Sequence, residues 1–242
     1  MKLSEIFSQL TYGELKQLNV GGYELGSIES KDYREIVNHI NLALSSLYTK
    51  FPLKESSLLL RTKKGRINYE LSNQYALTVN PVDGHIVDSL TNPFTSDILR
   101  IGKVYGVSGL ELPVNDPAAD FPVMLSSYNT LRLPWVASDE YVDGTELMVE
   151  YRAKPAWIAV PNPATNLDLT KDVPIPDMFM EPLLVYVEYR IHKAKGGQDG
   201  LAQAAMAKQN YEAMCAELLA QNVLNSSNAV TNTKLELNGW NI

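Results

Sequence analysis

Three histidines and one cysteine are the side chains best suited to metal binding or nucleophilic and acid–base chemistry. His39 lies in VNHINL beside an apolar helical stripe, His192 closes YRIH near the end of a second helical stretch, and His85 stands in VDGHIVD between Asp83 and Asp88. A zinc site draws its ligands from closely spaced pairs, and neither HExxH nor CxxC occurs. His192, followed by Lys193 and Lys195, suits the negative end of a helix dipole. The spacing around His85 is that of a turn entering a strand. Cys215, in YEAMCAELL, falls on an apolar helical face, where a thiol packs as a small hydrophobe. The acidic pairs Asp116 with Asp120 and Asp139 with Glu140 sit in loop-like stretches, and separation along the chain does not set the carboxylate spacing that glycoside hydrolysis needs. GxSxG, GxxxxGK[ST] and GxGxxG are all absent. No catalytic constellation is legible, so neither an enzyme nor a cofactor is expected.

The 242 residues hold 28 acidic and 21 basic side chains, a net charge of −7, which argues against a protein devoted to gripping phosphates. The densest basic stretch, RTKKGR from Arg61 to Arg66, straddles a glycine and reads as a hairpin tip. One cysteine excludes an intramolecular disulfide and fits a reducing compartment. MKLSEIFSQLTYGEL lacks the apolar core of a signal peptide, and no window approaches the length of a membrane span. A soluble chain, made and kept in a cytoplasm, is expected.

Helical spacing opens the chain at Ile6, Leu10, Leu15 and Leu18, interrupted by Gly13. After the loop GGYELGSIES, Ser30 stands where a helix cap belongs, with Asp32 and Glu35 in the first turn. Tyr33, Ile36, Val37, Ile40, Leu44, Leu47 and Phe51 then recur at steps of three and four, until Pro52 ends the helix. From 56 to 169 the chain becomes short β-branched and aromatic runs bounded by Gly, Pro and Asp, with turns at KKG and VDG. NPFTSDILRI reads as a short helix capped by Thr95 or Ser96. Helical pattern returns in PDMFMEPLLVYVEYRIHKAK, with Leu183 and Val187 on its core face; Pro182 removes a ladder donor if Asp177 is the cap and fits the first turn if the helix begins near Glu181. KGGQDG makes a turn into an Ala-rich helix that buries Tyr211, Met214 and Leu218. Tyr48, Tyr186 and Tyr189 read as packing residues.

The expected fold is α+β. A helical bundle from residues 1–55 and 170–224 carries an inserted antiparallel β barrel or sandwich-like lobe, 56–169. An extended tail, 225–242, follows. That tail runs through the polar NSSNAVTNT to KLELNGWNI, where Leu235, Leu237, Gly239, Trp240 and Ile242 form an apolar end suited to docking by strand addition or pocket insertion.

YELGSIESKDYREIVNHINLALSSLYTKFPLKESSLLLRT resembles the N-terminal region of head-to-tail adaptor proteins of tailed bacteriophages, the neck proteins related to tail tubular protein A of short-tailed phages. IPDMFMEPLLVYVEYRIHKAKGG with AKQNYEAMCAELL looks like the helical pair of that group, and KLELNGWNI like its C-terminal tail. The resemblance covers about half the chain. It implies a structural virion protein of the neck, assembled in the host cytoplasm into a ring of commonly twelve copies. The ring would sit beneath the portal, prolong the DNA channel and offer a platform to the tail or nozzle. The implied partners are further copies of the chain, the portal through the C-terminal tail, and the tail or nozzle protein. Genomic DNA would pass without sequence-specific binding, and no membrane is involved. Two other readings stay open from sequence: a ligand-binding α+β domain or enzyme whose tail folds back on itself, and a different neck component such as a stopper or terminator.

Overall fold

A computed structural model describes residues 1–13, 15, 28–137, 142–162 and 164–221. The chain is α+β, with four helices and two antiparallel sheets among the described residues. It divides into two compact units, Met1–Leu44 with Ile158–Ile242, and Ser45–Trp157.

In the first unit, α1 spans Leu3–Tyr12 and buries Leu3, Ile6, Phe7 and Leu10, a repeat of one helical face. Its first amides, which no helical carbonyl can reach, are satisfied from far along the chain. Leu3 donates to the carbonyl of Lys171 and Ser4 to that of Leu169, while Val173 donates to that of Met1. The Lys2 amide is taken by Glu5 Oε2 at 2.8 Å. The helix stops at Gly13; Leu15 is buried beyond it, and Leu18 lies outside the described residues.

Helix α2 spans Tyr33–Lys50, starting two residues later than a Ser30 cap would place it. Ser30 sits in a preceding turn, and the carbonyl of Asp32 accepts the first helical bond, from Ile36. Ile36, Val37, Ile40, Leu44, Leu47 and Phe51 are buried. Tyr33 differs: it is partly exposed and sets its ring edge-on to Phe7 at 5.1 Å.

A 3-10 turn over Asp177–Phe179 runs into α3, Met180–Lys195, so Pro182 falls in the first turn, where its missing N–H costs nothing. Helix α4, Gly197–Ala220, follows after one residue. Gly196 and Gly197 make that reversal with φ of 66° and 73°, a region L side chains avoid. The turn is therefore shorter than KGGQDG suggests, and Gln198, Asp199 and Gly200 already belong to α4. The two helices pack along Leu183, Val187 and Ile191 on one side and Ala204, Ala207, Tyr211 and Cys215 on the other, with Tyr186 edge-on to Tyr211 at 5.0 Å. Met214 and Leu218 flank this stripe and remain partly exposed.

The second unit contains β1 (Glu55–Arg61), β2 (Asn68–Glu70), β3 (Ile86–Val87), β4 (Ile98–Tyr105), β5 (Met124–Ser127), β6 (Thr130–Arg132) and β7 (Glu146–Ala153). They form two open sheets, β3-β1-β7-β4 and β2-β6-β5, not a closed barrel. Alternation sets the core: Leu58 and Leu60 of β1, and Leu147, Val149 and Tyr151 of β7, point inward. Tyr69 and Leu131 supply the second sheet's share of that core.

Two local expectations fail here. RTKKGR is no hairpin tip, because β1 pairs with β3 and β7 while β2 pairs with β6. It is a turn that carries the chain from one sheet to the other, with Gly65 at φ 78°. NPFTSDILRI forms no helix: Ile98, Ile101 and Val104 enter β4, and long-range pairing with β7 overrides the local cap signal. Ser96 Oγ instead accepts the Asn73 amide at 2.6 Å.

Candidate interaction surfaces and buried polar groups

Each histidine is placed by packing. His85 is fully buried, and its Nε2 lies 2.8 Å from the Glu70 carbonyl. A carbonyl only accepts, so the proton sits on Nε2. Tyr75 stacks on the ring at 4.8 Å, Tyr69 meets it edge-on at 5.3 Å, and the Arg66 guanidinium covers both tyrosines at 5.1 and 5.7 Å. Burial, seconded by the charges of Arg66 and Lys63, lowers the His85 pKa to about 4 against the opposing hydrogen bond to Glu70. The ring is a neutral packing element.

Asp83 and Asp88 do not complete a site with His85. The Asp83 carbonyl accepts from Arg66 Nη1 at 3.2 Å. The Asp88 carboxylate accepts the amide and hydroxyl of Thr78 at 3.0 and 2.6 Å and the Phe94 amide at 3.2 Å. Burial would raise that carboxyl, but these hydrogen bonds hold it below the usual range.

The basic turn is likewise committed inward. Arg66 is spread over aromatic rings and carbonyls, Lys63 Nζ donates to the Val82 carbonyl at 2.7 Å, and the Lys64 amide donates to Asp143 Oδ1 at 2.7 Å. These contacts tie three loops together and leave few donors for a phosphate.

In the helical unit, His39 and His192 each face a glutamate one turn earlier, Glu35 at 3.6 Å and Glu188 at 3.5 Å. Burial dominates at both rings. It lowers His39 together with the Arg190 charge, against Glu35, and lowers His192 together with Lys195. His192 thus lies in the last turn of α3, where a cation would suit the dipole, but as a buried ring held toward neutrality. Glu188 is pushed up by the same burial. Asp116 Oδ1 accepts the Ala118 amide at 3.1 Å within its own loop, and Asp139 and Glu140 lie outside the described residues. Cys215 is buried and is not in a disulfide. No group of His, Cys, Asp and Glu among the described residues is arranged to hold a metal ion.

What the described residues offer outward is surface. On the solvent face of the four-stranded sheet, register aligns Val87, Leu59, Met148 and Tyr105 into one row crossing every strand. Leu59 and Met148 are both exposed. Charges frame the row, with Arg61 on Glu146 at 2.8 Å and Lys103 on Glu111 at 3.0 Å. The signal was in SSLLLRT: three consecutive leucines cannot all face inward from an alternating strand, so the middle one must point out. Trp157, at 63% exposure, lies beyond the strands. Tyr48 is buried, and Tyr186 packs on Tyr189 and Tyr211. The apolar residues of the C-terminal tail, Leu235, Leu237, Gly239, Trp240 and Ile242, lie outside the described residues.

Among the described residues the protonatable groups are packed as structure, and ordered apolar residues are what is turned outward. The family model for the SU10 adaptor protein matches residues 10–233, and the chain belongs to that family. It is a phage adaptor, a virion component that interacts with other head and tail components. No helix among the described residues is long and apolar enough to cross a membrane. No curated protein matches the chain.

Proposed function

We propose that twelve copies of this chain form a ring beneath the portal, prolonging the DNA channel and giving the tail or nozzle its attachment platform, as in the tail tubular protein A group. The family match, which runs through both helical ends and the β-rich middle, carries this reading. The helical segments 1–55 and 170–224 build each wedge, the insertion 56–169 forms a separate lobe, and 225–242 is the hook. A chain of net charge −7 lining a channel repels DNA instead of holding it, which suits a conduit. The docking residues of the hook are Leu235, Leu237, Gly239, Trp240 and Ile242. A weak contact of this kind, repeated around a ring, gives high avidity at the portal.

Light scattering on the purified chain, alone and mixed with portal, tests the reading. A ring forming alone or on portal is expected, and a chain lacking 225–242 should stay folded but lose portal attachment. A wild-type chain that remains monomeric with portal present refutes the ring. Undiminished attachment after truncation refutes the hook.

A further inference from the structure

Helix α4 is apolar on two opposite sides. Ala204, Ala207, Tyr211 and Cys215 form the stripe packed on α3. At 3.6 residues per turn, the opposite side carries an exposed apolar arc of about 140°. Its large members are Leu201, Met206 and Leu219, at 57%, 67% and 54% exposure, and five alanines fill most of the rest. Gln198, Gln209 and Glu212 interrupt it. An amphipathic surface helix has one apolar stripe about this wide, turned to its core, and a helix apolar on both sides is one that is covered on both.

A second copy of the chain is the occupant that the geometry favours. Helix α4 is about 36 Å long and about 10 Å across, so two such faces pressed together bury roughly 700 Å². That is below the ~1,000 Å² expected of a stable interface, so an α4-on-α4 pair is insufficient. A head-to-tail contact of the same area can suffice, because each copy gives α4 to one neighbour and a different surface to the other, and the contacts reinforce one another when the ring closes. Charge indicates the second surface. The α4 arc includes Glu212 and is bordered by Asp199 and Glu217 on one edge and by Lys208 on the other, whereas the end of α3 exposes Lys193, its Nζ 3.4 Å from the Tyr189 hydroxyl. Small alanines let the helices approach closely, and opposite charges set the register.

We infer that the outer face of α4 is the contact between neighbouring copies, seated against the Tyr189 and Lys193 side of α3 in the next copy. The inference rests on the ring reading above.

The test uses the full chain, measuring mass by light scattering against concentration, with portal added if the wild type needs it. Ala213→Arg and Ala216→Arg place a long cation on the arc at little cost in helix propensity. Both should keep wild-type circular dichroism and melting temperature, while the concentration for half-assembly rises on the order of tenfold or more. Lys193→Glu should weaken assembly similarly, and adding Glu212→Lys to that variant should restore it. If the wild type assembles and the arginine variants assemble equally well, the α4 contact is wrong and the ring stands. If the arginine variants fail but the lysine reversal changes nothing, the receiving surface on α3 is wrong. A wild type that never assembles removes the ring and this inference with it.

Discussion

Asn41 is the side chain whose loss should be felt most clearly. It sits in α2 at 3% exposure and binds the backbone of Ile158 twice, Nδ2 donating to the carbonyl at 3.0 Å and Oδ1 accepting the amide at 2.9 Å. An amide side chain thereby imitates a strand partner, satisfying both backbone groups of a residue that is itself 3% exposed. Asn41→Leu keeps the volume but leaves a buried N–H and a buried C=O without these partners. At about 1–3 kcal/mol for each orphaned group, the expected loss is roughly 2–6 kcal/mol, a large part of a typical domain's 5–15. Asn41→Asp keeps an acceptor for the amide but turns a carboxylate oxygen toward the Ile158 carbonyl, and should be at least as damaging. Urea unfolding reads the stability directly. Hydrogen exchange at the Ile158 amide reads the contact itself and should become faster in the leucine variant. A change under about 0.5 kcal/mol, the size of an ordinary surface substitution, would refute the argument.

Two further outcomes follow from buried groups. His85 has a folded pKa of about 4, below the ordinary 6.5, so between these values the unfolded chain binds more protons. Its contribution is fully present above pH 6.5 and is lost as pH falls toward 4, up to about 3 kcal/mol by linkage. Denaturation curves from pH 7 to 4 should show this slope, and His85→Phe should flatten it by that share, leaving the smaller slopes from His39 and His192; an unchanged slope would contradict the burial argument. Cys215, buried in the α3–α4 contact, should react with a thiol reagent at least tenfold more slowly in native protein than in urea. Equal rates would mean that contact opens freely.

The elements legible in the sequence are those whose signal is local. The α2 stripe follows from steps of three and four, and the strand-rich middle from β-branched residues between turn formers. Pro182 is resolved by a rule about first turns, and the structure obeys that rule. The failures are nonlocal. Nothing within RTKKGR reveals that the strands on its two sides enter different sheets, and nothing within NPFTSDILRI reveals that β7 claims its second half. The exposed sheet row needs register, because Leu59 meets Val87 and Met148 only once three strands are aligned. The outer arc of α4 was written in the sequence as plainly as its buried stripe. Periodicity alone does not say which of two opposite apolar sides faces the chain's own core.

The amides that open α1 find their partners at Leu169 and Lys171, more than 160 residues later. That has a consequence for the order of events during synthesis. The β unit, Ser45–Trp157, is one unbroken stretch and can fold as it leaves the ribosome. The helical unit is assembled from both sides of that stretch, and α1 keeps unsatisfied donors until residues 158–221 have been made. Its nucleus must also close one of the longest loops in the chain, a slow step. Helix α4, with its outward apolar arc, is the last described helix to be translated. A polysome therefore carries chains with a finished β unit and an unfinished helical unit, and the outward arc of α4 appears only at the end of that sequence.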